Sequence, residues 1–331
     1  MNSTLRTTVV GPGAVGSLLA HGLLSAGIET ALLATGRRAR EIEAHGLVLV
    51  DAEGRDAVVQ PRVAVQAEEL GQQDVVFLCT KSTALLTLAP SLAALIGPHT
   101  TIVSLMNGVP WWFLHGLSGV PHASHLRSVD PGGAISKALP PAQCLGCVVH
   151  LSSALDAKGR VVPGRGRRLI VGAASRNDSN RVQAVVDLLK RARFDVEFSS
   201  DIHREIWAKL WGNLTMNPIS ALTLATADKI LDEPHTRRLI ENMMLEAQEV
   251  GARLGITLDM SIAERIAVTR QLGAFKTSML QDVEAGRPLE VDAIVRSVSE
   301  LARVLGVPVP FIEAILGLIA LRAERNFPSD R

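Results

Sequence analysis

Lys209, Asn213 and Asn217 stand four residues apart in the run Glu205-Ile206-Trp207-Ala208-Lys209-Leu210-Trp211-Gly212-Asn213-Leu214-Thr215-Met216-Asn217-Pro218. On a helix that spacing returns to nearly the same face, about 40° further round at each step. One amine and two carboxamides therefore form a polar stripe among Trp, Leu and Met. A solvated face fits poorly, because the flanking residues are large and apolar and Asn is a weak helix former. Carboxamides orient a carboxylate or carbonyl. A partly buried lysine can donate a proton, and desolvation draws its pKa toward the useful range. Pro218 biases Asn217 away from helical geometry, so the helix is expected to bend there and free backbone groups.

The second chemical pattern is Gly11-Pro12-Gly13-Ala14-Val15-Gly16. It follows a β-branched run, Thr7 to Val10, and opens an apolar helical pattern, Ser17 to Ser25. In that context GxGxxG reads as a dinucleotide-binding turn. Gly11 permits the tight turn, Gly13 lets backbone approach a pyrophosphate, and Gly16 allows close helix–sheet contact. The helix start, with Ala14 and Val15, offers free N–H groups to the phosphates. The second strand ends in Ala34-Thr35-Gly36-Arg37-Arg38, with no acid to accept from a ribose 2′-OH. Two arginines there favour a 2′-phosphate, hence NADP (NADPH). The plainer alternative is that Arg37 and Arg38 only begin a solvated helix.

Composition narrows the chemistry. The 331 residues are 47% hydrophobic and 20% charged, enough for a sizeable core and about two domains. Thirty-four Lys and Arg against 33 Asp and Glu leave +1, so no basic field points to nucleic acid. The chain has no tyrosine, which excludes reductase chemistry that uses a Tyr as general acid. Three cysteines fit a reducing compartment. Cys144 and Cys147 have CxxC spacing, but no second ligand pair accompanies them, so no metal is expected. The start, Met1 to Thr8, is short and polar, and no apolar run reaches membrane length. A soluble, cytoplasmic protein is expected.

The elements around these residues define the fold class. Thr30 to Ala34, Asp74 to Thr80 and Thr101 to Leu105 read as further strands, with helical segments such as Ala84 to Ile96 between them. Leu145 to Ser152, Arg167 to Val171 and Asp195 to Phe198 read as later strands, with a helix at Asn180 to Arg193. This is the α/β pattern of a Rossmann-type parallel sheet. After Asp201 helical periods take over: Ile202 to Met216, Thr236 to Leu254, Ser261 to Met279, Val291 to Leu305 and Phe311 to Arg322. The expected domains are residues 1–199, an NADP-binding Rossmann-type domain, and 200–331, an all-α C-terminal catalytic domain. The boundary lies near Ser199-Ser200. The apolar face of Ile312 to Leu321 reads as core or a homodimer contact. His150 reads as a structural histidine and His203 as a surface one. The basic run Arg160 to Arg168 lacks interleaved aromatics and reads as a solvated hairpin turn.

Taken together these segments resemble the ketopantoate reductases (2-dehydropantoate 2-reductases). The resemblance runs over nearly the whole chain. It includes the glycine motif, Cys79-Thr80-Lys81, Met106-Asn107-Gly108, the Lys209 to Pro218 block, and Thr277-Ser278-Met279-Leu280-Gln281-Asp282 leading to Glu290-Val291-Asp292. It implies reduction of a small-molecule 2-keto acid, ketopantoate, by NADPH to pantoate, on the route to pantothenate. Lys209 would then be the general acid. Asn213 and Asn217 would orient the substrate, and Ser278 would contact its carboxylate. Glu290 would lie near the reacting hydroxyl and the lysine, Asn107 near the nicotinamide, and Lys81 beside the cofactor ribose. A cationic donor aimed at the carbonyl oxygen stabilises the charge that hydride addition builds there.

The chain departs from the family in several places. Thr35 stands where an Arg is usual at the second strand tip. Val295-Arg296 replace an Asn-Gly pair, and Ala225-Thr226-Ala227-Asp228 lacks a second one. Trp111-Trp112-Phe113 form a bulky cluster after Asn107-Gly108, which suggests a paralogous subgroup with a different pocket wall. Two alternatives follow: a reductase or dehydrogenase for another 2-keto or 2-hydroxy acid, and, from another class, a non-catalytic dinucleotide sensor. An intact Lys209, Asn213, Asn217 and Glu290 argues against the sensor, which needs no proton donor.

Overall fold

The computed structural model describes residues 5–120, 125–175 and 178–326; the first four residues of the polar start lie outside them. Two compact units emerge, one of Met1–Met106 with Ala134–Ile202 and one of Asn107–Gly133 with His203–Arg331. The sequence reading placed an unbroken sheet domain over 1–199. The structure instead groups 107–133 with the helical unit and puts the later boundary at 202/203. The backbone of this segment hydrogen-bonds to the helical unit, as described below.

The strands are β1 (Thr7–Val10), β2 (Thr30–Leu33), β3 (Leu47–Val50), β4 (Asp56–Val59), β5 (Arg62–Ala64), β6 (Val75–Leu78), β7 (Thr101–Ser104), β8 (Cys144–His150), β9 (Ser153–Leu155), β10 (Val161–Pro163), β11 (Arg168–Ala173) and β12 (Asp195–Phe198). With them in the first unit are helices α1 (Ala14–Ser25), α2 (Gly36–His45), α3 (Ser82–Leu92), α4 (Ala134–Ala138) and α5 (Ser179–Arg191). The main sheet runs β12-β11-β8-β7-β6-β1-β2-β5. From β5 to β8 every pairing is parallel. β1, β6 and β7 are buried throughout, as expected for central strands covered by helices on both faces. Val9, Leu32, Phe77, Val103 and Leu145 join one core cluster with Leu19 and Leu23 of α1.

At β11 the sheet turns antiparallel, since β11 pairs antiparallel with β8. β8 and β11 are joined by the β9–β10 excursion rather than by the helical crossover that parallel neighbours use. A second sheet, β4-β3-β10-β9, was not expected. Its strands are three or four residues long, too short for periodicity to declare them. The basic run is likewise not one solvated turn. The turn spans Asp156 to Gly159 and β10 lies inside the run. Arg160 pairs with both Asp56 and Asp156. Cys144 and Cys147 are buried on β8, three positions apart and so on opposite faces. Burial pushes the Cys144 thiol well above its ordinary pKa, which disfavours the thiolate that metal or redox chemistry needs.

The second unit is helical: α6 (Ile202–Thr223), α7 (Ala227–Asp232), α8 (Pro234–Arg253), α9 (Ile262–Arg270), α10 (Ser278–Glu284), α11 (Ser297–Leu305) and α12 (Pro310–Asn326). A π-helical turn, Asp292–Arg296, leads into α11. The indole N–H groups of Trp207 and Trp211 donate to the Ala247 and Met244 carbonyls of α8, fixing the back of α6. Three expectations change here. α6 runs through Pro218 to Thr223 rather than stopping at Met216. The expected helix from Ser261 to Met279 breaks at Gly273, whose φ is +66°, into α9 and α10. His203 is buried rather than on the surface, with Nε2 within 3.1 Å of the His115 carbonyl and its ring against Trp112 and Phe113. The cluster Trp111-Trp112-Phe113 is itself core, with Phe113 stacked on Trp207. Among the described residues no helix is long and apolar enough to cross a membrane.

Candidate active site

The glycine turn in the first unit has the shape its sequence asks for. Gly11 has φ +80°, and a Cβ there would sit 2.6 Å from Thr80 Cγ2, so both backbone and space require glycine. A Cβ on Gly16 would sit 2.9 Å from Cys79 Cβ, at the end of β6. Gly13 faces open space, so its backbone is accessible to a ligand. It is also the N-cap of α1, with no side-chain cap and no acid in the first turn. Open backbone and free N–H groups fit a pyrophosphate. Beside Gly11 the Thr80 hydroxyl is buried without a hydrogen-bond partner, a polar atom that the sequence reading did not single out. Lys81 follows it as the N-cap of α3.

The two arginines separate. Both lie in the first turn of α2. Arg38 spends its guanidinium inside the protein. Its Nε donates to the Pro12 carbonyl (3.1 Å), Nη2 to Ser17 Oγ (2.9 Å) and Nη1 to the Gly159 carbonyl (2.8 Å). Burial lowers its pKa from the ordinary arginine value. Arg38 thus braces the glycine turn from behind. Arg37 is 79% exposed and pairs with Glu41. An exposed ion pair is weak, so this guanidinium can turn to an anion.

In the second unit Lys209 Nζ donates to Asn107 Oδ1 at 2.9 Å. Asn107 is fixed in turn by the residues after it. Gly108 has φ +79°, and any side chain there would overlap the Ala293 carbonyl. The Val109 N–H donates to that same carbonyl (2.8 Å), as does the Ser297 hydroxyl (2.8 Å). Ala293 belongs to the π-helical turn that follows Glu290, a residue only 7% exposed. The Asn107-Gly108 pair is therefore locked to the Glu290 segment, and Lys209 is locked to Asn107.

The remaining substrate candidates join the same helix. Asn213 lies one turn beyond Lys209 and is partly exposed. Asn217 is 4% exposed, and its Nδ2 is buried without a partner. An orphan amide donor is costly unless something completes it, and a ligand oxygen would. Pro218 withholds one backbone N–H, while the Ser220 hydroxyl donates to the Asn217 carbonyl. Ser220 also hydrogen-bonds Thr277, whose hydroxyl caps Leu280 at the start of α10. That contact brings Ser278, exposed at the first position of α10, beside α6. Asn107 is thus tied to Lys209 and to the segment that follows Glu290, and Ser278 adjoins the Asn217 end of α6. Arg296 pairs with Asp292, and Val295 is core. His150 is exposed at the end of β8, opposite Arg168.

A family model described as "Ketopantoate reductase PanE/ApbA" matches residues 7–176, and "Ketopantoate reductase PanE/ApbA C terminal" matches 201–323. The 2-dehydropantoate 2-reductase of Mesorhizobium japonicum is 41% identical over 324 residues, 97% of this chain and 99% of its own. A solved structure from Ralstonia solanacearum MolK2, assigned to the ketopantoate reductases, is 44% identical with a TM-score of 0.93, covering 98% of this chain and 99% of that one. D-mandelate dehydrogenase, solved with NADH and anilino(oxo)acetate, shares the fold at 21% identity and a TM-score of 0.83, covering 97% of this chain and 99% of that one.

Proposed function

The chain belongs to the ketopantoate reductase family, whose reaction is the NADPH-dependent reduction of ketopantoate, and we propose that it reduces 2-dehydropantoate to pantoate with Lys209 as the proton donor. The observation that carries this reading is the Lys209–Asn107 hydrogen bond, set beside the orphan amide of Asn217 and the buried Glu290.

The cofactor, when bound, supplies hydride to the substrate carbonyl carbon. The residues suited to hold it are Gly11, Pro12, Gly13, Ala14, Val15 and Gly16 for the pyrophosphate, with Arg37 for the 2′-phosphate. Lys81 would lie beside the ribose, and Asn107 would support the nicotinamide end. Arg38 acts indirectly by holding the Pro12 carbonyl and Ser17.

Lys209 donates its proton to the carbonyl oxygen as negative charge builds there. A positioned cation stabilises that charge more in the transition state than in the ground state. Asn107 aims the ammonium by accepting from it. Asn213 and Asn217 orient the substrate oxygens through their amides, and Ser278 contacts the carboxylate. Glu290, as a nearby carboxylate, favours the charged form of Lys209 and opposes desolvation. A second reading is the same chemistry on another 2-keto acid. Val295-Arg296, which stand shortly after Glu290 in place of the family's Asn-Gly pair, favour it. Comparing kcat/KM for ketopantoate with a panel of 2-keto acids tests both. Ketopantoate should lead the panel; a tenfold or larger preference for another acid overturns the substrate assignment but keeps the chemistry.

A further inference from the structure

Arg265 of α9 is a partly buried cation with no carboxylate partner among the described residues. Its Nη1 donates to Thr269 Oγ1 at 3.2 Å, which leaves most of the guanidinium fork unused. Burial lowers its pKa, and no acid opposes the effect. A cation withdrawn from water and left unpaired is unfavourable, so a site that retains one is suited to an anion from outside the chain.

The position of this guanidinium is set by Gly212. A Cβ on Gly212 would overlap Arg265 Nη2 and Cζ, so the Nη2 end of the guanidinium rests against bare helix backbone. Glycine inside a helix is unfavourable by itself, and here its lack of a side chain makes the seat for Arg265. Gly212 is three residues after Lys209, so it sits roughly 60° around α6 from the lysine. Side chains at that spacing hold their Cβ atoms about 5–6 Å apart, which places the guanidinium within about 8 Å of Lys209 Cβ. In a 2-keto acid the carboxylate is bonded directly to the reacting carbonyl carbon. A lysine reaching the carbonyl oxygen and an arginine at this distance can therefore grip adjacent ends of one small molecule.

We propose that Arg265 binds the substrate carboxylate and that Gly212 exists to make room for it. The assignment rests on the keto-acid reading above, and it adds a fixed charge to the neutral Ser278 contact. A guanidinium pairs with a carboxylate through two parallel N–H···O bonds, which selects acids over esters or amides.

The test uses the full-length enzyme with saturating NADPH. Wild type, Arg265→Met, Arg265→Lys and Gly212→Ala are compared on ketopantoate and on its methyl ester, which lacks the charge. Arg265→Met should raise KM for the acid roughly 10- to 100-fold, with a much smaller change in kcat. It should lower the acid-to-ester ratio of kcat/KM by a similar factor. Gly212→Ala should move the same ratio in the same direction without loss of thermal stability, since alanine favours the helix while displacing the guanidinium. Arg265→Lys should fall between. An unchanged KM for the acid, or equal losses on acid and ester, overturns the assignment while leaving the reductase reading intact. If Arg265→Met does not fold, Gly212→Ala and Arg265→Lys decide by the same ratio. If wild type turns over another 2-keto acid instead, the comparison is made on that acid and its ester. If wild type reduces no 2-keto acid at all, the reductase reading itself fails and this assignment falls with it.

Discussion

Lys209 and Asn107 are joined by a 2.9 Å hydrogen bond from the ammonium to the amide oxygen. The two come from distant stretches of chain, and each is held by its own support. Indole bonds fix the back of α6, and Gly108 and Val109 lie against the Ala293 carbonyl. The lysine end is therefore aimed before substrate arrives. Replacing Asn107 by Ala should lower kcat by about 10- to 100-fold through lost orientation, because small misplacements of a reacting group are expensive. Steady-state kinetics at saturating NADPH would read this; an unchanged kcat would mean the bond does not guide the lysine.

Gly11 and Gly13 should respond differently to alanine. At Gly11 the new Cβ meets Thr80 at 2.6 Å, and φ is +80°, so Gly11→Ala should destabilise the fold by about 1–3 kcal/mol. At Gly13 there is open space, so Gly13→Ala should keep the wild-type Tm yet weaken NADPH binding by about 10-fold or more. Thermal melts with NADPH titration check both. A Gly13→Ala protein with unaltered NADPH affinity would show that the pyrophosphate does not approach there.

Arg37 and Arg38 should also separate. Arg37→Ala should raise KM for NADPH about 10-fold and leave KM for NADH nearly unchanged, because only a 2′-phosphate would notice its loss. Arg38→Ala removes bonds to Pro12, Ser17 and Gly159, so it should weaken both cofactors alike and lower stability by about 1–2 kcal/mol. If Arg38→Ala proves selective for NADPH, the bracing role is wrong and Arg38 meets the phosphate itself.

His21 gives a pH prediction. Burial lowers its pKa below the ordinary 6.5, outweighing the contact with the Ala57 carbonyl. The folded protein therefore holds His21 neutral at a pH where the unfolded chain takes up a proton. The unfolded state binds more protons below about pH 6.5, so this contribution to stability is complete above that pH and lost on acidification. His21→Gln cannot titrate. Its urea unfolding free energy should change less between about pH 7 and about pH 5 than that of the wild type. Equal changes would place the acid sensitivity elsewhere.

Much of this was legible in the residues. The glycine motif announced its turn because its spacing reflects backbone geometry, and Lys209, Asn213 and Asn217 announced a face because helical period is regular. Long-range partners were not legible. Nothing local says that Asn107 accepts from Lys209, that Arg38 reaches Gly159, or that Gly212 seats Arg265, since each pair meets only after folding. The four tryptophans lie near the expected chemistry, yet Trp111 and Trp112 are core and Trp207 and Trp211 anchor α6 to α8. Their position supports the lysine from behind rather than forming an open wall. The small sheet of β4, β3, β10 and β9 escaped because strands this short carry almost no period. α6 ran through Pro218 because one missing N–H does not outweigh the packing of a buried helix.

The central claim is that Lys209 protonates the carbonyl oxygen. The direct measurement is NADPH-dependent reduction of ketopantoate by wild type and Lys209→Ala, with NADPH affinity of each measured separately by titration. Loss of the general acid should lower kcat by about 10²- to 10⁴-fold while NADPH affinity stays within a few-fold of wild type. Wild-type kcat in Lys209→Ala would contradict the account.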